Sequence, residues 1–285
     1  MLSHPQFQPV RPFLKWAGGK QRLLPQLIPL LPLRGRLIEP FVGAGSVFLA
    51  ADYDRYLLND ANPDLIAVWV ALKERPREFT ERSAHYFTPQ YHSEEAYKRV
   101  RDQFNQSTDR FERAVRFLYL NKFGFNGLFR VNRGGMFNVP YAWHKALPRF
   151  PLEELEGAAA RLKTCTFLNG GYKAAIEEAG YGDVCYCDPP YASSASGPSF
   201  TAYTQDGFGW EDQRELVKVA EEAVQRGATV LVSNHDTPAT QELYRGWDIH
   251  ELSARRSIGS TNSSRGMASE LVAVLRGGSR ARTMT

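Results

Sequence analysis

The chain has 285 residues, 35 Lys and Arg against 31 Asp and Glu, a formal net charge of +4, and 43% hydrophobic and 23% charged residues. That describes an ordinary soluble globular protein with one or two domains and a full core. Three observations set limits: no apolar run approaches the about 18 residues of a membrane span, residues Met1–Gln6 show no secretory leader, and three cysteines form neither a disulfide framework nor a zinc pattern. A metal-free, cytoplasmic protein is expected.

Phe13-Leu14-Lys15-Trp16-Ala17-Gly18-Gly19-Lys20 is unusual for a first segment. Its tryptophan, two glycines and lysine point to a closely approached, partly anionic ligand, with a basic N-terminal arm as the alternative. Residues 36–41 read as a strand running into the turn Gly43-Ala44-Gly45, with Ser46 capping a helix through about Ala51. Tyr56–Asn59 reads as a second strand. It ends at Asp60, where a doubly wound fold places the acid that holds a ribose. Phe48 occupies the last position of a Gly-x-Gly-x-x-Gly pattern, which counts against a dehydrogenase. Gln21 after Gly18-Gly19-Lys20 counts against a phosphate loop. S-adenosylmethionine fits these parts, with Lys20 on its carboxylate, Asp60 on its ribose and the glycine turn on its methionyl portion.

Residues 64–149 interrupt the alternation of strand and helix. They read as helices at 64–73, 94–104 and 110–121, then a hairpin around Arg133-Gly134-Gly135, forming a second, smaller lobe. From Arg113 to Leu152 there is no acidic residue, while Arg113, Arg116, Lys122, Arg130, Arg133, Lys145 and Arg149 alternate with Phe117, Tyr119, Phe123, Phe125, Phe129, Phe137, Tyr141 and Trp143. A second acid-free stretch, Leu252 to Ser269, carries Arg255, Arg256 and Arg265. Either stretch alone fits a solvated face; together they point to a polyanion. Further strands are expected near 164–168, 183–187, 229–233, 248–252 and 271–275, with helices near 173–178 and 211–225. This argues for a mostly parallel sheet with helices on both faces. The last two strands are close enough in sequence for one to run antiparallel. Ala192–Gly197 reads as a mobile loop over the site and 277–285 as a frayed tail.

Between these, the apolar run Val184–Cys187 stops on Asp188-Pro189-Pro190-Tyr191. The carboxylate can accept one hydrogen of an exocyclic amine and the adjacent prolyl carbonyl the other, while the tyrosine offers a stacking face. The prolines fix φ and lack backbone donors, so the turn is stiff. An ordinary strand-to-loop turn is the alternative.

Four segments together resemble the Dam-type DNA adenine-N6 methyltransferases, α-group amino methyltransferases of the D12 class: FLKWAGGK (13–20), EPFVGAGS (39–46), LNKFGFNGLFRVNRGGMFNVPYA (120–142) and YCDPPY (186–191). SNHD (233–236) and RRSI (255–258) are similar to that family as well, and the resemblance runs from about residue 13 to 276 in the family's motif order. It implies an α/β fold: a Rossmann-like, seven-stranded S-adenosylmethionine-dependent methyltransferase sheet with an inserted α-helical and β-hairpin DNA-recognition domain. The catalytic domain would span 10–63 and 150–276, the recognition domain 64–149, and the tail 277–285.

By the same resemblance, Asp188, Pro189, Pro190 and Tyr191 are catalytic, and Trp16, Ala17, Gly18, Lys20, Glu39, Phe41, Gly43, Gly45, Ser46, Asp60, Tyr172 and Asp188 line the S-adenosylmethionine site, with no metal. Lys15, Phe125, Asn126, Leu128, Arg130 and Pro140 would read bases. His144 stands where the family has tyrosine, and Arg255 and Arg256 are expected on phosphates. The implied activity is methylation of a flipped adenine in double-stranded DNA, within GATC, by a monomer in a bacterial cytoplasm, on the nucleoid or phage-encoded. The rivals are an amino methyltransferase on cytosine N4, RNA or a protein glutamine, and a catalytically silent DNA-binding relative. Asp188, where cytosine-N4 enzymes carry Ser and the glutamine and guanine enzymes Asn, disfavours the first; intact Lys20, Asp60 and Asp188 disfavour the second.

Overall fold

The structure, a computed structural model, describes residues 9–33, 35–191, 208–253 and 269–277. The expectations placed on Ala192–Gly197, on Arg255, Arg256 and Arg265, and on the tail from 278 lie outside the described residues.

The element order is α1 (Leu24–Leu27), β1 (Arg36–Glu39), β2 (Arg55–Asp60), α2 (Pro63–Glu74), α3 (Pro76–Ala84), α4 (Glu94–Gln106), α5 (Arg110–Phe123), α6 (Leu152–Arg161), β3 (Cys165–Asn169), α7 (Tyr172–Glu177), β4 (Val184–Cys187), α8 (Trp210–Gln225), β5 (Thr229–His235), α9 (Pro238–Leu243), β6 (Asp248–Ser253) and β7 (Ser269–Arg276). The seven strands form one sheet in the order β3-β2-β1-β4-β5-β7-β6. All neighbours run parallel except β7, which is antiparallel to both β5 and β6. The chain leaves β1 toward β2 on one side and returns through β4 on the other. That reversal opens a crevice at the carboxyl ends of β1 and β4, where a doubly wound sheet binds its ligands.

Both faces of the sheet are buried, and period two sorts the side chains. Leu37, Leu58, Tyr186, Leu231 and Val272 join one core cluster with α2 and α5, while Ile38, Leu57, Cys185, Val232 and Leu271 join another with α7, α8 and Tyr244. Helix α2 starts on Pro63 after Asn62, whose side chain accepts the Asp64 and Leu65 amides. Its buried residues Leu65, Ile66, Val68, Trp69, Ala71 and Leu72 cover most of its circumference, because it packs on the sheet and on α5 at once. No helix among the described residues is long and apolar enough to cross a membrane.

The structure corrects several sequence expectations. Ser46 starts no helix. Gly43 and Gly45 keep φ at 50° and 69°, and the turns that follow mix bonds from the Leu49 amide to Gly45 with one from the Ala50 amide to Val47. Val47, Phe48 and Leu49 are all buried, so this segment is wedged in the core with no outward face. Four helices, α1, α3, α6 and α9, have no counterpart among the sequence expectations. In α6 the mid-helix Gly157 lies against Val10, where a Cβ would come within 2.9 Å of the valine, and glycine weakens the helical signal.

The acid-free stretch is not acid-free in space. Arg113 is held by both oxygens of Asp64 at 2.7 and 2.8 Å, Arg116 by Glu112 at 2.7 Å, and Arg149 pairs with Glu154. Likewise, of the eight interleaved aromatics six are buried; only Phe125 and Trp143 are exposed, at 50% and 71%.

Candidate active site and nucleic-acid face

The crevice at the switch point is built from three short segments. Behind β1, the glycine turn passes under Trp16 so closely that a Cβ on Gly43 would lie 2.9 Å from the indole. Trp69 supports the turn from below: its indole Nε1 donates to the Gly43 carbonyl at 3.1 Å, and its ring packs edge-on against Phe13 and Phe48. Trp16 itself stacks toward Phe117 and Phe129. A Cβ on Gly19 would lie 3.8 Å from Ser46 Oγ, so the 13–20 segment and the glycine turn meet directly; Ala17 and Gly18 remain exposed beside them.

Asp60, at the end of β2, accepts the Gly43 amide on Oδ2 at 3.1 Å and the Asn62 amide on Oδ1 at 3.0 Å. It therefore ties the second strand to the glycine turn and keeps a further lone pair on each oxygen. Burial pushes its carboxyl up to about 6, against the pull of the Asn62, Gly43 and Ala61 amides. Next to it Phe41 and Tyr172 stack with ring centroids 5.3 Å apart, and Phe208 closes on both edge-on at 5.8 Å. Phe208 was not foreseen from the sequence. Glu39 is 3% exposed and its Oε1 has no hydrogen-bond partner among the described residues. Burial drives its carboxyl well above the usual range, and the Phe48 amide offsets only part of this. A buried acceptor without a donor is costly, and an ammonium group arriving there would satisfy it.

After β4, Asp188 lies beside Lys20. The Lys20 ammonium lies 2.8 Å from Asp188 Oδ1 and 2.8 Å from the Gly18 carbonyl, with Glu270 Oε2 at 3.6 Å. Burial raises the Asp188 carboxyl, Lys20 opposes this, and Glu270 adds to it. Tyr191 lies with its ring 4.9 Å from the ammonium, edge-on to His235 at 4.4 Å, and its hydroxyl donates to Glu270 at 2.7 Å. The Pro-Pro turn is fixed from behind: Gln213, fully buried in α8, donates to the Pro190 carbonyl at 3.1 Å and accepts from Asn234. Gln213, Glu270 and His235 sit far from Asp188 in sequence. The sequence hints at His235 through the SNHD segment and at Glu270 as a lone polar residue in an apolar run that needs a partner, and it carries no comparable sign for Gln213.

The exposed basic face is stitched to the 13–20 segment by Asn121. This buried side chain accepts the Lys15 amide at 2.9 Å and donates to the carbonyls of Lys15 and Gly127 at 2.7 and 2.9 Å. Asn126 and Gly127 turn the chain with φ of 54° and 64°, and a Cβ on Gly127 would come within 2.3 Å of Lys15 Cβ. Phe125 then donates its amide to Pro140, pairing the two limbs of the 125–141 hairpin; its limbs carry only isolated bridges, Gly124 to Tyr141 and Val131 to Phe137.

Arg130 is exposed on that hairpin, its guanidinium braced by Asn138 at 2.7 and 3.2 Å. Leu128 is half-buried and Pro140 exposed beside it. His144 Nε2 donates to the Lys122 carbonyl at 3.1 Å, and burial lowers its imidazole pKa with Lys15 adding to the effect. Burial and the Lys15 charge bring the Lys122 amine down to about 8. The structure thus groups Lys15, Phe125, Asn126, Leu128, Arg130, Pro140 and His144 around one hairpin. Among the described residues, no group of three His, Cys, Asp or Glu side chains is arranged to hold a metal ion.

The family model described as D12 class N6 adenine-specific DNA methyltransferase matches residues 16–258. The chain is 45% identical over 265 residues to a DNA adenine methylase of Vibrio cholerae, covering 93% of this chain and 95% of that protein. It is 44% identical over 268 residues to a DNA adenine methylase of Escherichia coli K12, covering 94% and 96%, and 43% identical over 268 residues to one of Salmonella typhi, with the same coverage.

Proposed function

The chain belongs to the D12 class of N6 adenine-specific DNA methyltransferases, and from that premise we propose that it methylates an adenine flipped out of duplex GATC into the crevice beside Asp188. The observation that carries the reading is the position of the Asp188-Pro189-Pro190-Tyr191 turn at the carboxyl end of β4, directly across the switch point from the glycine turn of β1.

S-adenosylmethionine supplies an electrophilic sulfonium methyl when bound. The residues present suit it: the Glu39 oxygen without a donor suits its ammonium, the Phe41, Tyr172 and Phe208 rings suit its adenine, and Asp60 suits its ribose hydroxyls. Trp16, Ala17, Gly18, Gly43, Gly45 and Ser46 complete the walls. Lys20 has a different task, as the counter-ion that keeps Asp188 ionised in a buried site.

Flipping costs a few kcal/mol of unstacking, which binding in the pocket offsets. Tyr191 then stacks on the ring. With Oδ1 on Lys20, Asp188 accepts one N6 hydrogen on its other oxygen, and the Pro189 carbonyl accepts the second. Both bonds draw the nitrogen lone pair out of conjugation and aim it for in-line attack, so catalysis here is positioning and preorganised electrostatics. Ionised Asp60 is the better ribose acceptor. Cofactor affinity is therefore expected to fall as pH drops through about 6 and to level off above it. Isothermal titration across that range checks this; an affinity flat down to pH 5 would remove Asp60 from the ribose.

We assign target reading to residues 64–149 together with Lys15. Arg130, braced by Asn138, presents its guanidinium fork to O6 and N7 of a guanine, a pair worth about 1–3 kcal/mol of discrimination. Arg130→Ala should cut kcat/KM on GATC duplexes by about 10- to 100-fold and relax discrimination at one base pair. Kinetics on GATC and its single-pair variants test both statements; an equal loss on every sequence would make Arg130 a phosphate contact.

A further inference from the structure

Glu270 has no part in the mechanism above, yet it touches two groups that do. Its Oε2 accepts the Tyr191 hydroxyl at 2.7 Å and lies 3.6 Å from the Lys20 ammonium that holds Asp188. It is placed there by the sheet. Strand β7 runs antiparallel to β5 with Glu270 directly opposite His235, so the two side chains share one face of adjacent strands. His235 meets the Tyr191 ring edge-on with centroids 4.4 Å apart at 72°. One cross-strand pair therefore grips the tyrosine twice, by its hydroxyl and against its ring.

We propose that Glu270 is a positioning residue for methyl transfer, fixing the Tyr191 ring at the angle on which the flipped base stacks and fixing Lys20 on a single oxygen of Asp188. The proposal rests on Tyr191 being the stacking surface. A tyrosine ring held only by its Cβ turns about two torsions, and a hydroxyl tether removes that freedom before the base arrives. The Lys20 ammonium holds the Gly18 carbonyl and Asp188 Oδ1, both at 2.8 Å, while Glu270 Oε2 faces it as an ion pair at 3.6 Å. That second negative charge draws the ammonium away from a seat between both Asp188 oxygens.

The experiment compares Glu270→Ala, Glu270→Gln, Tyr191→Phe and the Tyr191→Phe/Glu270→Ala double variant. It reads single-turnover methyl transfer, KM for each substrate, and the emission of a duplex with 2-aminopurine at the target adenine. Tyr191→Phe keeps the stacking ring and loses only the tether. It and Glu270→Ala should each slow single-turnover transfer by about 10- to 100-fold, the scale of a small misplacement, with cofactor KM within about twofold. The double variant should be no slower than the worse single one, because both remove one lever. Glu270→Gln, whose amide oxygen still accepts the hydroxyl hydrogen, should recover most of the rate and the wild-type emission. Wild-type rates in Tyr191→Phe, or losses that multiply in the double variant, would overturn the proposal. If Glu270→Ala does not fold, the comparison of Tyr191→Phe with Glu270→Gln still decides it. Wild-type protein that fails to methylate DNA adenine would instead sink the underlying reading of the site.

Discussion

Asp188→Asn is expected to lower methyl transfer by at least about 10³-fold while leaving duplex affinity within a few-fold. The carboxylate and the Pro189 carbonyl are the acceptors that prepare the amine, and an amide in place of the carboxylate presents either a weaker acceptor or a donor to it. Asparagine is the informative substitution. Alanine would leave Lys20, only 3% exposed, without its nearest counter-ion, and breaking a buried pair costs about 3–5 kcal/mol of stability in itself. With asparagine the volume is kept and Glu270 remains near the ammonium. Single-turnover transfer and duplex binding measured on the same preparation separate the effects. Transfer within tenfold of wild type would remove Asp188 from the chemistry, and a parallel collapse of duplex affinity would show that binding and catalysis are not separable at this residue.

Trp69→Ala should cost about 3–5 kcal/mol of stability, the usual range for emptying a fully buried aromatic site. At this chain length that lowers Tm by roughly 10 °C. The loss is not confined to the core. Trp69 carries Phe13 of the first motif and the Gly43 carbonyl of the glycine turn on one side chain, so cofactor affinity should fall as well. Trp69→Phe should recover most of the stability and less of the affinity, because it refills the volume and leaves the Gly43 carbonyl without its donor. Thermal unfolding together with cofactor titration of both variants checks this. A change below about 1 kcal/mol in Trp69→Ala would mean the turn does not depend on α2 for support.

Much of the fold was legible because its signals are local. The strands are short apolar or β-branched runs, the central ones buried at consecutive positions, and all seven fall within two residues of their expected places. The site motifs were legible for the same reason: the glycine turn, the 13–20 segment and the Asp-Pro-Pro-Tyr turn each carry their chemistry in a few consecutive residues. What escaped depends on distant partners. Glu270 is the one charge in Ser269-Glu270-Leu271-Val272-Ala273-Val274-Leu275, and only the register of β7 on β5 brings it to Tyr191. Asp64, Glu112 and Glu154 stand outside the acid-free stretch whose arginines they hold, so one-dimensional charge overstated the basic face. Helix α2 packs on the sheet and on α5 at once, and nothing in an apolar helix says which neighbour each face will meet.

The measurement to make first is transfer of labelled methyl from S-adenosylmethionine to unmethylated plasmid DNA, with every modified base mapped at single-nucleotide resolution. N6-methyladenine confined to GATC is the predicted result, and it would join the amine chemistry at Asp188 to the reading of bases by Lys15, Arg130 and the 125–141 hairpin. N6-methyladenine at a different motif would keep the first and overturn the second. DNA left unmodified by folded, cofactor-binding protein would contradict both.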